Sequence, residues 1–70
     1  MKKHIDIDGM SCEHCANAVK NVLEELGAIN IVVDPDAGWA EADIAADNAS
    51  IAEKIEEEGF EAVGFRELDS

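Results

Sequence analysis

Cations are what this sequence has least of. Five of its seventy residues are Lys or Arg against seventeen Asp or Glu, a formal charge of −12. Nucleic acid and anionic lipid carry the same sign, so the composition speaks against direct binding to either. No window approaches the length of an apolar membrane span, which speaks against membrane insertion. Residues 1–8 also lack the apolar core of a signal peptide, and a cytoplasmic protein is expected. Tyrosine is missing, and Trp39, Phe60 and Phe65 are the only aromatics besides histidine. There are two cysteines, too few for a disulfide framework. In a reducing compartment such a pair reads as a metal or redox site, and closing so short a loop would stabilise little.

What is present fits one small domain, residues 1–70. A chain of this length buries roughly 60% of its unfolded surface, which leaves no room for a second core or a large enzymatic cleft. The protein is therefore not expected to be an enzyme. Apolar residues make up 47% of it, many of them alanine. The acids are spread along the whole chain. That pattern suits a solubility device, as in a high-salt cytoplasm, and it also suits a basic partner surface.

Hydrophobic periodicity orders the chain. From Lys3 to Asp8 the residues alternate, with Ile5 and Ile7 on one side and His4, Asp6 and Asp8 on the other, the period of a half-buried strand. Gly9 breaks it. Ser11 is placed to cap a helix in which Cys15, Val19, Val22, Leu23 and Leu26 recur at helical spacing, and Met10 is placed to pack inward as a hydrophobic staple. Gly27 suits the helix stop. Ala28–Asp34 reads as a second strand with Ile29, Ile31 and Val33 on one face. The turn Asp34-Pro35-Asp36-Ala37-Gly38 then leads into a third, Trp39–Ile44, with Ala40, Ala42 and Ile44 inward.

A second helix begins either at Asp47 and Asn48 or at Ser50, which forms a capping-box pattern with Glu53. Ile51, Ala52 and Ile55 supply its buried stripe. Glu56, Glu57 and Glu58 crowd an end where the helix dipole disfavours negative charge, so that end should fray. Gly59 stops it. Ala62–Leu68 reads as a fourth strand with Val63 and Phe65 inward, and the last residues are expected to be loose. The order β-α-β-β-α-β predicts an α+β ferredoxin-like sandwich, a four-stranded antiparallel sheet covered on one face by two helices.

The chemistry gathers in Gly9-Met10-Ser11-Cys12-Glu13-His14-Cys15, where a strand runs into a helix. Cys12 keeps loop freedom while Cys15 lies in the first helical turn, so both sulfurs can face one point. The helix N-terminus favours the thiolates that bind soft metals. Two thiolates at this spacing suit Cu(I), which accepts two sulfurs in a near-linear arrangement. Structural zinc wants four protein ligands, and only His14 and His4 could supplement the cysteines. His14 is either an auxiliary, exchangeable ligand or a solvent-facing residue between two ligands, and His4 reads as an exposed strand residue. The competing reading of the pair is thiol redox chemistry, against which stand the short chain, no aromatic just before Cys12 and no proline between the cysteines. An incidental reduced pair is the third.

The stretch Gly9–Cys15 resembles the GMxCxxC loop of the heavy-metal-associated domain family, which includes small copper chaperones and N-terminal domains of metal-pumping P-type ATPases. The likeness extends to the preceding strand, the Val and Leu spacing of the first helix, the hairpin, and Glu57-Glu58-Gly59-Phe60-Glu61-Ala62 at the close of the second helix. It implies metal ligation by Cys12 and Cys15 and a buried loop anchor at Met10. Ser11 stands where copper-handling members usually carry Thr, Ser or His and zinc or cadmium domains often carry Asp. With no carboxylate there the site is sulfur-only, which favours copper. Phe60 falls where bacterial-type members commonly have Tyr and eukaryotic chaperones Lys, and its implied task is to shield the thiolates, beside an ordinary place in the core. The stretch from Ile44 to Ser50 is shorter than in typical members, and Trp39 is unusual.

The expected function is that of a soluble Cu(I) chaperone, carrying one ion between Cys12 and Cys15 and passing it by thiolate exchange to a copper-transporting P-type ATPase or a similar metal-binding domain. Zn(II), Cd(II) or Hg(II) would be accepted in vitro. The apo protein is expected to be a monomer, with a metal-bridged dimer as a further state. The rivals are a regulatory domain of a copper ATPase, mercury handling, and, from a different class, a dithiol oxidoreductase.

Overall fold

The computed structural model describes residues 2–68, so the expected loose terminus at Asp69 and Ser70 lies outside the described residues. Six elements follow in order: β1 Lys2–Asp8, α1 Glu13–Glu25, β2 Ile29–Asp34, β3 Trp39–Asp43, α2 Asn48–Glu57 and β4 Glu61–Leu68. The strands form one antiparallel sheet in the order β2-β3-β1-β4. Helix α1 packs over the β2 side and α2 over the β4 side. This is the ferredoxin-like sandwich that the alternating patterns predict.

The core lies between the sheet and the helices. Ile5 and Ile7 from β1, Val19, Val22 and Leu23 from α1, and Ile51 and Ile55 from α2 are buried together. Ala40 and Ala42 occupy the inner face of β3 with no exposed surface, and Ile44 follows just past its end. Each fully buried Ile or Leu contributes about 1.5–3 kcal/mol relative to exposure. A chain this small depends on each of them.

Two bulges change which side chains face that core. In β4, Ala62 pairs with Ile7 while Gly64 pairs with Asp6, so Val63 is an extra residue on its strand. A bulge reverses the alternation beyond it. Ala62 and Phe65 therefore turn inward, and Val63, expected inward, is 58% exposed. In β2 two residues, Asn30 and Ile31, lie between Ile29 and Val32, against one, Ala42, between their partners Asp43 and Glu41 in β3. Asn30 adopts a left-handed conformation with φ 55° and donates from Nδ2 to Asp43 Oδ2 at 2.9 Å. Asparagine tolerates that conformation better than most residues. Ile31 and Val33 keep the inner face, but Ile29 is turned out to 63% exposure.

The helix starts also differ from the simplest reading. The N-cap of α1 is Cys12, with extended backbone and no side-chain cap, so Ser11 lies outside the helix and caps nothing. For α2 the first of the two expected starts is realised. Asp47 is the cap, its Oδ1 accepting from the Ser50 amide at 2.8 Å, and Ser50 sits inside the helix. Lys3, on the inner side of β1, is buried and donates from Nζ to the Ala46 carbonyl at 3.0 Å and to Asn48 Oδ1 at 2.9 Å. Those bonds tie the short β3–α2 connection to the sheet.

Candidate metal centre

The loop between β1 and α1 begins at Gly9, whose φ of +91° strongly favours glycine. A β-carbon there would meet Phe60 Cδ1 at 3.7 Å and the Gly59 carbonyl oxygen at 4.0 Å. The α2–β4 connection therefore lies against the start of the loop. One residue on, Met10 is 4% exposed and belongs to the core. The loop is thus anchored by a buried side chain while Ser11, Cys12, Glu13 and His14 stand exposed around it.

Cys12 and Cys15 are free thiols whose sulfurs lie 3.1 Å apart. Cys12 holds the extended cap position, φ −148° and ψ 169°, and its carbonyl accepts the first helical bond, from Ala16 at 3.0 Å. Cys15 is the third residue of α1 and is half-buried. A strand-to-helix junction is what brings sulfurs three residues apart to the same side. The hydrogen bond with Cys12 is the main reason the Cys15 thiol is held below its ordinary value. The Ser11 backbone adds to it, partial desolvation opposes, and the backbones of Cys12 and Cys15 add smaller contributions. A pair sharing one proton at a helix N-terminus is poised to become the thiolates that soft ions need.

The other candidates divide. Phe60 is half-buried on the core beside Gly9, and its amide donates to the Ile55 carbonyl at 3.2 Å. Core packing and a place beside the loop are both realised for it. His14 is exposed. Among the described residues no group of three or more His, Cys, Asp or Glu side chains converges on one point, so the fold does not assemble His14 with the two cysteines into a larger ligand set. The side chains that could hold an ion are the two sulfurs, a soft and low-coordinate donor set.

His4 is not the exposed strand residue its position suggests. Its side chain is 12% exposed, with Nδ1 at 2.9 Å from Glu41 Oε2 and Nε2 at 3.2 Å from Asp6 Oδ1. Its ring centroid lies 5.2 Å from that of Trp39. This cluster covers the sheet face opposite the helices. It was hidden from the sequence because only the β1–β3 register sets His4 against Glu41 and Asp6 against Trp39.

The profile of the heavy-metal-associated domain matches residues 4–61. The chain belongs to the heavy-metal-associated domain family. This member resembles the Copper chaperone CopZ of Bacillus subtilis, with 36% identity over 64 residues, 86% of this chain and 93% of CopZ. The Copper chaperone CopZ of Staphylococcus haemolyticus is 35% identical over 65 residues, 87% of this chain and 96% of that one. Among solved structures, a heavy metal binding protein from Thermotoga maritima superposes with a TM-score of 0.82 at 25% identity, over 97% of this chain and 100% of the other. A copper binding domain from a P-type ATPase superposes with a TM-score of 0.77 at 26% identity, covering 99% and 96%. The likeness thus spans nearly the full length of each. Among the described residues, no helix is long and apolar enough to cross a membrane.

Proposed function

We propose that the chain is a cytoplasmic copper(I) metallochaperone that carries one ion between the sulfurs of Cys12 and Cys15. The observation behind this reading is a pair of sulfurs 3.1 Å apart on an exposed loop, with no third ligand gathered beside them among the described residues. Two thiolates satisfy Cu(I) in a near-linear geometry, whereas a tetrahedral zinc site needs two further donors. The CopZ relatives support the same metal. Cu(I) is the expected cargo, and Zn(II), Cd(II) or Hg(II) would occupy the sulfurs only in vitro.

Transfer proceeds by ligand exchange. A partner thiolate enters beside the ion, giving a three-sulfur intermediate, and one of the chain's own sulfurs leaves as the second partner sulfur arrives. The copper stays monovalent throughout, and each departing thiolate is free to take up the proton that an entering thiol gives up. No group of the chain has to act as a catalyst. The recipient is a copper-transporting P-type ATPase or a similar metal-binding domain, a reading supported by the likeness to such an ATPase domain. The same likeness supports a second reading, in which the chain acts as the regulatory metal-binding domain of such an ATPase. Buried Met10 keeps the loop seated, and Phe60 limits access of water and oxidant from its side.

Anaerobic Cu(I) titration against a competing chelator, with X-ray absorption to count the sulfurs, tests the site. Tight one-to-one binding with two sulfur ligands is expected, and coordination by oxygen and nitrogen alone overturns it. Rapid insulin disulfide reduction without tight Cu(I) binding would instead identify a dithiol oxidoreductase. Sedimentation of the apo and Cu(I)-loaded forms separates a monomer from a metal-bridged dimer.

A further inference from the structure

Away from the metal loop, on the sheet face opposite the helices, a histidine sits between two carboxylates. The His4 side chain is 12% exposed, against 27% for Glu41 and 48% for Asp6. Each ring nitrogen faces an oxygen: Nδ1 lies 2.9 Å from Glu41 Oε2 on β3, and Nε2 lies 3.2 Å from Asp6 Oδ1 on β1. The ring also stands beside that of Trp39, tilted by 31°. A neutral imidazole has one N–H and one lone pair, so it can donate to only one of these acceptors. The imidazolium has two N–H groups and donates to both. The three groups therefore hold this geometry with one proton more than a neutral ring and two carboxylates carry.

The charges around the ring agree with that extra proton. On the same face β1 supplies Lys2 and Asp6, β3 supplies Glu41 and, opposite Lys2, Asp43, and β4 supplies Arg66 directly opposite His4. The helices pack on the other face and add none. Lys2 and Arg66 are exposed, and neither forms an ion pair among the described residues. Water screens those two cations, while Glu41 and Asp6 are in direct contact with the ring. The two carboxylates are held unequally. Glu41 makes the shorter bond and is the more covered. Asp6 is half-exposed, and its Oδ2 lies 3.1 Å from where a β-carbon on Gly64 would stand, in the space that this glycine leaves open.

We propose that this cluster is a proton-dependent clasp between β1 and β3, closed while His4 donates from both ring nitrogens and released at its Asp6 arm when one proton leaves. After release the neutral ring keeps Glu41 through Nδ1–H. Its Nε2 lone pair then faces Asp6, which turns to water. Through Glu41 and Trp39 the closed clasp steadies the β2–β3 hairpin on the central strand. Unfolding separates the two carboxylates from the ring, so the folded chain binds the proton more firmly than the unfolded one. Stability from the clasp is therefore present on the acid side and lost as pH rises through release.

Three readouts test the clasp on the full chain between about pH 5 and 8, the range in which imidazoles change charge. Nitrogen NMR of the His4 ring should show two protonated nitrogens at the acid end and, after release, one bare nitrogen, Nε2. Trp39 is the only tryptophan, and a charged imidazole beside an indole quenches its emission. Fluorescence should rise with the same midpoint as the NMR change and stay flat in His4→Gln. Denaturant titrations compare the parent with Asp6→Asn, whose amide can donate to the lone pair of the neutral ring and so satisfies both nitrogens without the extra proton. From the acid to the alkaline end, the unfolding equilibrium constant of the parent should rise about ten-fold relative to that of Asp6→Asn, as expected for one hydrogen bond to a charged group. Other titrating groups, His14 and the thiols among them, are common to both chains and cancel. A purely structural role for Asp6 would give an offset that is the same at every pH. Such a constant offset overturns the clasp, and so does a ring that is neutral at the acid end with flat Trp39 emission. If Asp6→Asn does not fold, the ring nitrogens and the emission of the parent still decide.

Discussion

At the scale of single residues, the function turns on where two sulfurs sit. Cys12 is fully on the surface and Cys15 only half-buried, so neither contributes much to the core. Cys12→Ser or Cys15→Ser should each lower Cu(I) affinity by orders of magnitude, as measured by chelator competition, while the far-ultraviolet spectrum stays unchanged and the melt moves by only a few degrees. Unchanged affinity in either variant would remove the two-sulfur site. The same geometry has a pH signature. Cys15 titrates below an ordinary thiol chiefly because Cys12 donates to its thiolate. Its contribution to stability is therefore fully present above the ordinary thiol range and lost as pH falls through the lowered value. Cys12→Ala should move the thiolate absorbance of Cys15 to higher pH, back toward the ordinary range. If the titration stays where it was, the sulfur–sulfur bond is not the cause of the shift.

At the scale of elements, caps and tethers decide how the sandwich closes. Asp47 is held in its ionised form by the Ser50 side chain and amide, which depresses its carboxyl titration. A depressed carboxyl stabilises above the ordinary carboxylate range and ceases to do so as pH drops through the depressed value. Asp47→Ala should lower the Tm by a few degrees at neutral pH, and its melts should converge with those of the parent in acid. Lys3 ties the same connection from the sheet side. Lys3→Met, which keeps the buried stem and removes the donor, should cost about 1–2 kcal/mol in a denaturant titration by leaving its two acceptors without their partner. These elements also show where sequence patterns inform and where they stop. Both helices, the central strands and the metal loop were legible, because Ile5 and Ile7, or Val19, Val22 and Leu23, repeat at periods that only one structure satisfies. Val63 and Ile29 were misplaced because one inserted residue reverses the alternation, and neither bulge carries a local mark stronger than Gly64 or Asn30. The sulfurs were legible as a pair since their spacing is covalent. The His4 cluster and the Lys3 tether were not, because each joins segments far apart in the chain or requires a register between strands.

At the scale of the whole molecule, charge is the largest influence that packing leaves unbalanced. The chain carries −12 on a body of 28 × 21 × 19 Å. Its neighbouring carboxylates therefore stand within or close to the Debye length of about 10 Å at 0.1 M salt. Added salt acts on two equilibria in opposite directions. It relieves repulsion within the chain, which stabilises the fold, and it weakens attraction to a cationic partner, which slows encounter. Thermal melts of the apo protein should rise by several degrees from low to physiological salt. What happens beyond that distinguishes two uses of the acidity. Once the Debye length is shorter than the spacing of the carboxylates, simple screening has little left to relieve, and the Tm should level off. A protein adapted to a high-salt interior should instead keep gaining stability into molar salt, because its carboxylates then act through the hydrated ions they hold. A plateau in the melts, together with salt-sensitive copper transfer, would assign the charge to partner choice, and a continued rise with salt-insensitive transfer would assign it to the solvent.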